Sequence, residues 1–454
     1  MARLDRRHAG RGIQVISEPS LKPLSGKGAA SFHRSQYAGN LWEGSVRSGK
    51  TVGSILRWIQ FIRSAPKDGD LCMIGRTERT LKRNVIDTMV KYLGRQRCRL
   101  SAGSGELEVL GRTVYLSGAN DDRAAEKIQG MTLAGWYGDE MSTWPQSVFN
   151  MARSRLSVDG AKWFGTANPA GPNHWLMADL ISKARYRILG DGSVQYGIPD
   201  GTSDLAVFSF RLDDNPWLPT EFVAALKREY VGMFYRRFIL GEWCMADGAI
   251  YDAWDPDRHV IPAGKVPGIE RWVAAGIDYG TNNPFHAVML GIGPAPFGAG
   301  KCLYVTGEYR HDGRATRARL TDSEYGERLM SWMAEHPIPQ GGDLRGVQPH
   351  VICVDPSATS FRVQLYRSGL RTVAADNSVL DGIRLNASLI ARGRLLVSDA
   401  CPGLIAEIPG YSWDAKAAKT GEDKPIKVND HGCDAMRYAS KTTEPIWRPA
   451  VGTD

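Results

Sequence analysis

The sequence predicts an α/β protein of two sheet-bearing domains in series, with a smaller helical piece between them. Three observations carry this prediction. The chain has 454 residues, more than one ordinary domain holds. Residues 38–170 alternate short apolar runs with amphipathic stretches, as a parallel sheet covered by helices requires. From Trp272 a second series begins, with three strands in succession and then strand–helix alternation.

In the first series Leu71–Ile74, Val114–Leu116, Leu133–Tyr137 and Trp163-Phe164 read as strands. Val52, Ile55, Leu56, Ile59 and Ile62 recur at helical spacing and give one apolar face. Residues 201–265 read as a lid or linker subdomain. It holds the turn-forming Asp214-Asn-Pro-Trp-Leu-Pro219, two short helical patterns and Gly241-Glu-Trp243. It ends at Asp255-Pro-Asp-Arg258 and a Pro/Gly-rich stretch. The second sheet domain is predicted over 266–445. Its strands fall at 272–279, 285–292 and 302–309, followed by helix 319–334, strand 350–355, helix 360–368, strand 371–375, helix 379–391 and a last helix from about 431. That is the element order of an RNase H-like fold. Residues 35–200 make up the first sheet domain, 1–34 are expected as a basic flexible arm and 446–454 as a tail.

Hydrophobic content of 43% and charged content of 23% are those of soluble globular protein. The net charge is +8, but Arg3, Arg6, Arg7, Arg11, Lys22, Lys27 and Arg34 against Asp5 and Glu18 place +5 of it in residues 1–34. Charge therefore suggests a polyanion at the arm and decides nothing about the rest. Seven cysteines, at 72, 98, 244, 302, 353, 401 and 433, form no CxxC pair. They support neither a disulfide framework nor a zinc site, and a reducing cytoplasm fits them best. The sequence shows no apolar run of membrane-spanning length and no secretory signal, so no membrane partner is expected.

Gly44-Ser45-Val46-Arg47-Ser48-Gly49-Lys50-Thr51 matches G-x-x-x-x-G-K-[ST]. Such a loop turns backbone N–H groups toward phosphate oxygens at the positive end of the helix that follows. The bland alternative is a Gly-rich turn, but the apolar Leu41-Trp42 before it and the amphipathic helix after it supply the expected setting. Lys50 would reach the β- and γ-phosphates of ATP, and the Thr51 hydroxyl would bind Mg²⁺. The run Leu133–Gly138 leads into Asp139-Glu140, where Asp139 would hold the Mg²⁺ shell and Glu140 would orient and deprotonate water. An exposed Asp-Glu pair capping a helix would not explain so apolar a lead. Asn168, in Thr166-Ala-Asn168, is a candidate γ-phosphate sensor or simply part of an Asn-Pro turn.

In the second series Asp278 closes the apolar Ala274–Ile277, Asp355 closes Val351–Val354, and Asp434 lies in Asp430-His-Gly-Cys-Asp-Ala-Met-Arg-Tyr438 near the start of the last helix. Any one of these is an ordinary turn former. Together, in this order, they suit two-metal phosphodiester hydrolysis with Mg²⁺ or Mn²⁺, which needs several carboxylates converging on paired cations. Asp430 and His431 are further candidates. Asp430 is expected to cap the helix with its side chain, leaving Asp434 aimed at the metal.

Taken jointly, Glu43–Thr51, Lys127-Ile-Gln-Gly-Met131 before Asp139-Glu140, Thr166–Pro169, Arg237–Trp243, Ile277–Gly280, Val354–Pro356 and Asp430–Tyr438 resemble the large terminase subunits of tailed double-stranded DNA phages. The resemblance spans roughly residues 36–442. It implies a RecA-like ATPase, a small lid and an RNase H/integrase-like nuclease. It also implies double-stranded DNA, the procapsid portal protein and a small terminase subunit as partners. The active form would be a ring on the portal, of about five copies from subunits that are monomeric when free. The setting would be the host cytoplasm at the portal vertex, outside the mature virion. By the same resemblance Gln36 contacts adenine and Arg47 is an in-loop phosphate arginine. Arg123 and Lys127 lie where a residue reaching a neighbour's ATP could sit, and Arg155 is a further basic candidate. Ser45-Val46 depart from relatives that carry a second glycine there. The rival reading is a DNA helicase or repair ATPase with a non-catalytic C-terminal domain, which has no need of Asp278, Asp355 and Asp434.

Overall fold

The computed structural model describes residues 22–24, 26–101, 105–120, 123–197, 203–280, 284–296, 300–313, 316 and 319–452. The chain forms two compact units. One comprises Met1–Leu41 and Gly49–Thr166, the other Trp42–Ser48 and Ala167–Asp454. The expected arm lies outside the described residues up to position 21, and its end is not arm-like. Gly26–Arg34 forms helix α1, with Ser31 buried.

In the first unit, β1 (Gly39–Gly44) leads to helix α2 (Lys50–Ser64), followed by β2 (Asp70–Gly75), β3 (Cys98–Leu100), β4 (Glu106–Val109), β5 (Arg112–Gly118), β6 (Leu133–Gly138) and β7 (Lys162–Ala167). The strand order is β3-β4-β5-β2-β6-β7-β1. β2 pairs in parallel with β5 and β6, and β6 with β7. Parallel strands covered on both faces are apolar throughout, which is why β6 and the interior of β2 read as unbroken hydrophobic runs. Ile55, Ile59 and Ile62 of α2 are buried as their spacing demands, joined by Trp58, while Val52 and Leu56 are half-buried. Because β2 and β6 end together, with Ile74 opposite Gly138, Asp139 emerges at the carboxyl edge of the sheet.

The second unit carries β8 (Tyr186–Ile188), β9 (Val194–Tyr196), β10 (Leu205–Phe210) and helices α3 (Thr220–Glu229) and α4 (Gly232–Phe238). It then builds a sheet of seven strands. These are β11 (Val260–Ile261), β12 (Arg271–Asp278), β13 (Phe285–Pro294), β14 (Lys301–His311), β15 (Val351–Val354), β16 (Thr372–Ala374) and β17 (Leu395–Ser398), ordered β11-β17-β14-β13-β12-β15-β16. Its helices are α5 (Asp322–Glu335), α6 (Thr359–Arg367), α7 (Val379–Ala391), α8 (Pro402–Glu407), α9 (His431–Thr442) and α10 (Glu444–Val451).

β12, β13 and β14 form an antiparallel meander, and β12 pairs in parallel with β15. The expected elements of this region are present. β17 was not expected and lies beside β14. The expected tail is also not one. α10 occupies Glu444–Val451, and Trp447 is fully buried in the core cluster beneath β12–β14. A second apolar cluster, with Phe285, Tyr325 and Phe361 among its rings, covers the opposite side.

Gly276 fixes how α9 lies on this sheet. A Cβ there would stand 2.1 Å from the Ala435 carbonyl oxygen and 2.8 Å from the Ala439 methyl. Only glycine lets the helix backbone approach β12 this closely. The approach carries the first turn of α9 toward the strand end where Asp278 lies.

Candidate active sites

The loop Gly44–Thr51 is bent by left-handed backbone at Gly44, Arg47 and Gly49. Glycine is required at position 44, where a Cβ would meet the Phe210 carbonyl oxygen at 2.0 Å. Within the second unit the N–H of Ser45 donates to Phe210 O (2.8 Å) and that of Val46 to Phe238 O (3.1 Å). This corrects the expectation that the whole loop offers its N–H groups to phosphate: the first half is an anchor. Ser48 Oγ donates back to Ser45 O (2.9 Å), and Asn215 Nδ2 donates to Arg47 O (2.8 Å). Asn168 follows β7 directly and is half-buried.

In the first unit Lys50 opens α2 and is buried at 7% exposure, with Thr51 half-buried beside it. Asp139 is also buried. Its Oδ1 accepts from Thr166 Oγ1 (2.8 Å) and its Oδ2 from Asn84 Nδ2 (3.3 Å). Burial holds its carboxyl above the usual range, against the pull of Thr166, Asn84 and the Lys50 charge. Glu140 adopts a left-handed backbone, φ 53°, and its N–H donates to Thr166 Oγ1 at 3.2 Å. Burial and then the Asp139 charge push its carboxyl up, while Lys50, Arg76 and Arg83 oppose them. Both shifts arise first from burial, and a divalent cation beside these carboxylates would oppose them. Thr166, Asn84, Arg76 and Arg83 had no role in the sequence reading. The motif Thr166-Ala-Asn168 contained the first of them, with the weight placed on Asn168.

Gln36 is exposed and already tied to protein: its Oε1 accepts from Arg57 Nη2 and its Nε2 donates to His33 O, both at 3.3 Å. Arg123 and Lys127 are exposed, whereas Arg155 is half-buried and donates to Gln129 O at 3.0 Å.

The second set of acids lies wholly in the second unit. β12 and β15 run parallel with Ile277 opposite Val354, and the Asp355 N–H donates to Ile277 O (3.1 Å), so Asp278 and Asp355 leave adjacent strand ends together. Asp355 Oδ1 accepts from the Ser357 N–H at 2.8 Å. Asp278 Oδ2 lies 2.7 Å from His431 Nδ1. Burial raises the Asp278 carboxyl in spite of His431, and the charges of Asp434 and Asp355 add to the rise. The hydrogen bond to Asp278 raises His431 over the opposing effect of burial. Both shifts reflect surplus negative charge in a partly dry place.

Asp434 is 5% exposed and is held by two cations. Lys427 Nζ stands 2.7 Å from its Oδ2 and Arg437 Nη2 stands 3.0 Å from its Oδ1. Burial works against the charge on Lys427 but Asp434 and Asp430 outweigh it, and the ammonium is raised. The expectation of an untethered Asp434 is therefore corrected. So is its companion: Asp430 occupies the N-cap position of α9 without a side-chain capping bond, and its Oδ2 instead faces Lys427 Nζ at 2.9 Å. The N–H of Gly432 donates to Glu407 Oε2 at 2.6 Å. Glu407 lies beside the fully buried His286, whose Nε2 is 2.9 Å from Glu308 Oε2. Glu407, His286 and Glu308 are residues that sequence spacing could not place, whereas Arg437 lies three residues from Asp434 on the same helix.

Among the described residues no three His, Cys, Asp or Glu side chains converge closely enough to hold a metal as they stand. The donor chemistry nonetheless fits hard cations. Asp278 and Asp355 leave adjacent strand ends, and the charges of Asp355 and Asp434 are both felt at Asp278. Among the described residues no helix is long and apolar enough to cross a membrane.

Residues 41–255 match the family described as terminase large subunit, T4likevirus-type, N-terminal. The chain is similar to the large terminase of a thermophilic bacteriophage, at 33% identity and a TM-score of 0.78, over 92% of this chain and 99% of that one. The same terminase solved in complex with ATP-gamma-S matches at 33% identity and a TM-score of 0.77, with the same coverage of both chains. A comparison with curated proteins finds no match. A relative at this identity, matched along almost the whole of both chains, establishes the kinship: the chain belongs to the family of bacteriophage large terminase subunits.

Proposed function

We propose that this terminase subunit packages viral DNA, hydrolysing ATP in a RecA-like domain and cutting concatemeric DNA in an RNase H-like nuclease domain. The observation that carries the reading is the presence of two separately built acidic sites. One sets Asp139 and Glu140 within reach of the buried Lys50 charge. The other sets Asp278 and Asp355 in strand register, with Asp434 close enough to shift Asp278. The complexes of the thermophilic phage terminase with ADP and ATP-gamma-S support nucleotide binding.

At the first site Lys50 engages the β- and γ-phosphates, and Thr51 and Asp139 hold Mg²⁺. Thr166 fixes Asp139 and the Glu140 backbone together, so that Glu140 can orient water and take its proton. The raised carboxyl of Glu140 makes it the stronger base. Arg47, Asn168 and Gln36 are assigned to phosphate, γ-phosphate sensing and adenine, and Arg123, Lys127 or Arg155 to a neighbouring subunit's nucleotide. At the second site Asp278, Asp355 and Asp434 hold Mg²⁺ or Mn²⁺. When bound, paired cations activate water and stabilise the leaving oxygen. His431, held through Nδ1 by Asp278, is assigned to the metal or the scissile phosphate. The partners are double-stranded DNA, portal protein and a small terminase subunit, with a ring of about five copies assembled at the procapsid in the host cytoplasm.

The test measures ATP turnover, and plasmid nicking with Mn²⁺ in the absence of ATP, for wild type, Lys50→Ala and Asp278→Asn. Lys50→Ala should lose turnover and keep nicking, and Asp278→Asn should do the reverse. Wild-type turnover in a folded Lys50→Ala protein would overturn the nucleotide site, and wild-type nicking in Asp278→Asn the nuclease site.

A further inference from the structure

Two cations share the Asp434 carboxylate, and they differ in exposure. Arg437 is 1% exposed. Its guanidinium meets Asp434 Oδ1 at 3.0 Å and Asn377 Oδ1 at 3.4 Å, and lies 4.7 Å from the Tyr438 ring centre. Added bulk at Gly382 would stand 2.5 Å from Arg437 Cγ, so the stem is boxed in as well. Lys427 reaches the other oxygen from the segment preceding α9. Its side chain is 59% exposed, between the exposed Ile426 and Val428, and next but one to Asn429 with its left-handed backbone. A flexible, solvated ammonium leaves such a pair far more cheaply than a packed guanidinium does. Asp434 Oδ2 is thus the oxygen that can be released, while Oδ1 stays with Arg437 and keeps the carboxylate oriented.

We propose, on the basis of the nuclease reading above, that Lys427 is a displaceable latch that occupies the metal-binding oxygen of Asp434 and must be expelled before a divalent cation can bind. The ammonium donates to Asp434 Oδ2 at 2.7 Å and stands 2.9 Å from Asp430 Oδ2, so its charge faces both acids. It fills the coordination role a cation would take and adds a positive charge that repels one. The latch makes the nuclease weak for metal at rest, a useful property in a protein that handles the genome it must not degrade.

The experiment titrates Mn²⁺ into the full-length protein without nucleotide, following free Mn²⁺ by electron paramagnetic resonance. Wild type, Lys427→Met, Lys427→Gln and Lys427→Arg are compared, each also in an Asp278→Asn background that reports the nuclease site. Lys427→Met should bind Mn²⁺ about tenfold more tightly than wild type, since it loses both competitor and repulsion. Lys427→Gln should lie between them, and Lys427→Arg should match wild type or bind more weakly. Half-maximal nicking should shift to lower Mn²⁺ in the same order. Unchanged or weaker binding in folded Lys427→Met and Lys427→Gln would overturn the latch while leaving the nuclease reading in place. Binding that is insensitive to Asp278→Asn in every background would remove the nuclease reading and the latch with it.

Discussion

The Thr166 hydroxyl donates to Asp139 Oδ1 at 2.8 Å while its oxygen accepts the Glu140 N–H at 3.2 Å. One side chain at the end of β7 thereby sets the two acids that follow β6. Replacing it with valine keeps the shape, leaves a buried carboxylate one donor short and frees the left-handed turn at Glu140. Hydrogen bonds to charged groups contribute about 1.5–3 kcal/mol, so Thr166→Val should lower ATP turnover roughly tenfold to a hundredfold. Thr166→Ser should restore most of it. Wild-type kcat in the valine variant would show that Asp139 and Glu140 are held by something else.

Glu140→Gln should bind nucleotide as wild type does and turn it over at least about a hundredfold more slowly. The substitution removes the base, keeps the shape and leaves the Thr166 contact to the backbone intact. Equilibrium binding of a fluorescent ATP analogue beside steady-state turnover separates the two effects. Loss of affinity instead would place Glu140 with the metal or the fold.

The parts of these sites that were legible in the sequence share one property: they are local. A glycine-rich loop before an amphipathic helix, or an apolar run closed by an acid, is encoded within a few neighbouring residues. Lys50, Asp139, Asp278 and Asp355 stand out in the sequence for this reason. What stayed hidden depends on partners far along the chain. Asn84 reaches Asp139 across 55 positions, and Glu407 receives the Gly432 N–H across 25. Lys427 looked like one more exposed lysine, because nothing in its neighbours says that an ammonium will sit on Asp434. α10 was hidden for a different reason. Pro449 inside it argues against a helix, yet Trp447 is buried and its Nε1 donates to Ser440 O at 2.7 Å, so tertiary packing overrides the local preference.

His336 supplies a pH test of the second unit. The imidazole is 3% exposed, its Nε2 lies 2.9 Å from Thr306 Oγ1, and the Trp272 and Trp332 rings stand edge-on at 5.7 and 5.4 Å. Burial lowers it to about 4. In the unfolded chain it titrates near 6.5. Between these values the unfolded state binds the extra proton, so stability is full above about pH 6.5 and is lost as pH falls toward about 4. Going from pH 7 to pH 5 should cost about 2 kcal/mol through this residue. Denaturant midpoints at the two pH values should therefore differ more for wild type than for His336→Gln. Equal pH sensitivity in the two proteins would refute the assignment.

Asp434 and Asp430 are the last pair to separate. Both are buried and both face Lys427, so neither burial nor the ion pair distinguishes them. Their positions do. The charge of Asp434 contributes to the raised carboxyl of Asp278, whereas that of Asp430 is felt by His431. Asp434 also lies one turn into α9, on the helix that Gly276 lets down onto β12, and Arg437 fixes one of its oxygens. Asp430 precedes the helix and its side chain takes no part in capping it, the Gly432 N–H going to Glu407 instead. Asp434→Asn should thus lower Mn²⁺-dependent nicking by about a hundredfold or more, as loss of a metal ligand requires. Asp430→Asn keeps a polar partner for Lys427 and should retain at least about a third of wild-type nicking. Thermal melts check that both variants fold. A crystal soaked in Mn²⁺ gives the direct answer, since anomalous density beside Asp278 and Asp434 is the expected result. Density bound by Asp430, with Asp434 still paired to Lys427, would reverse the assignment.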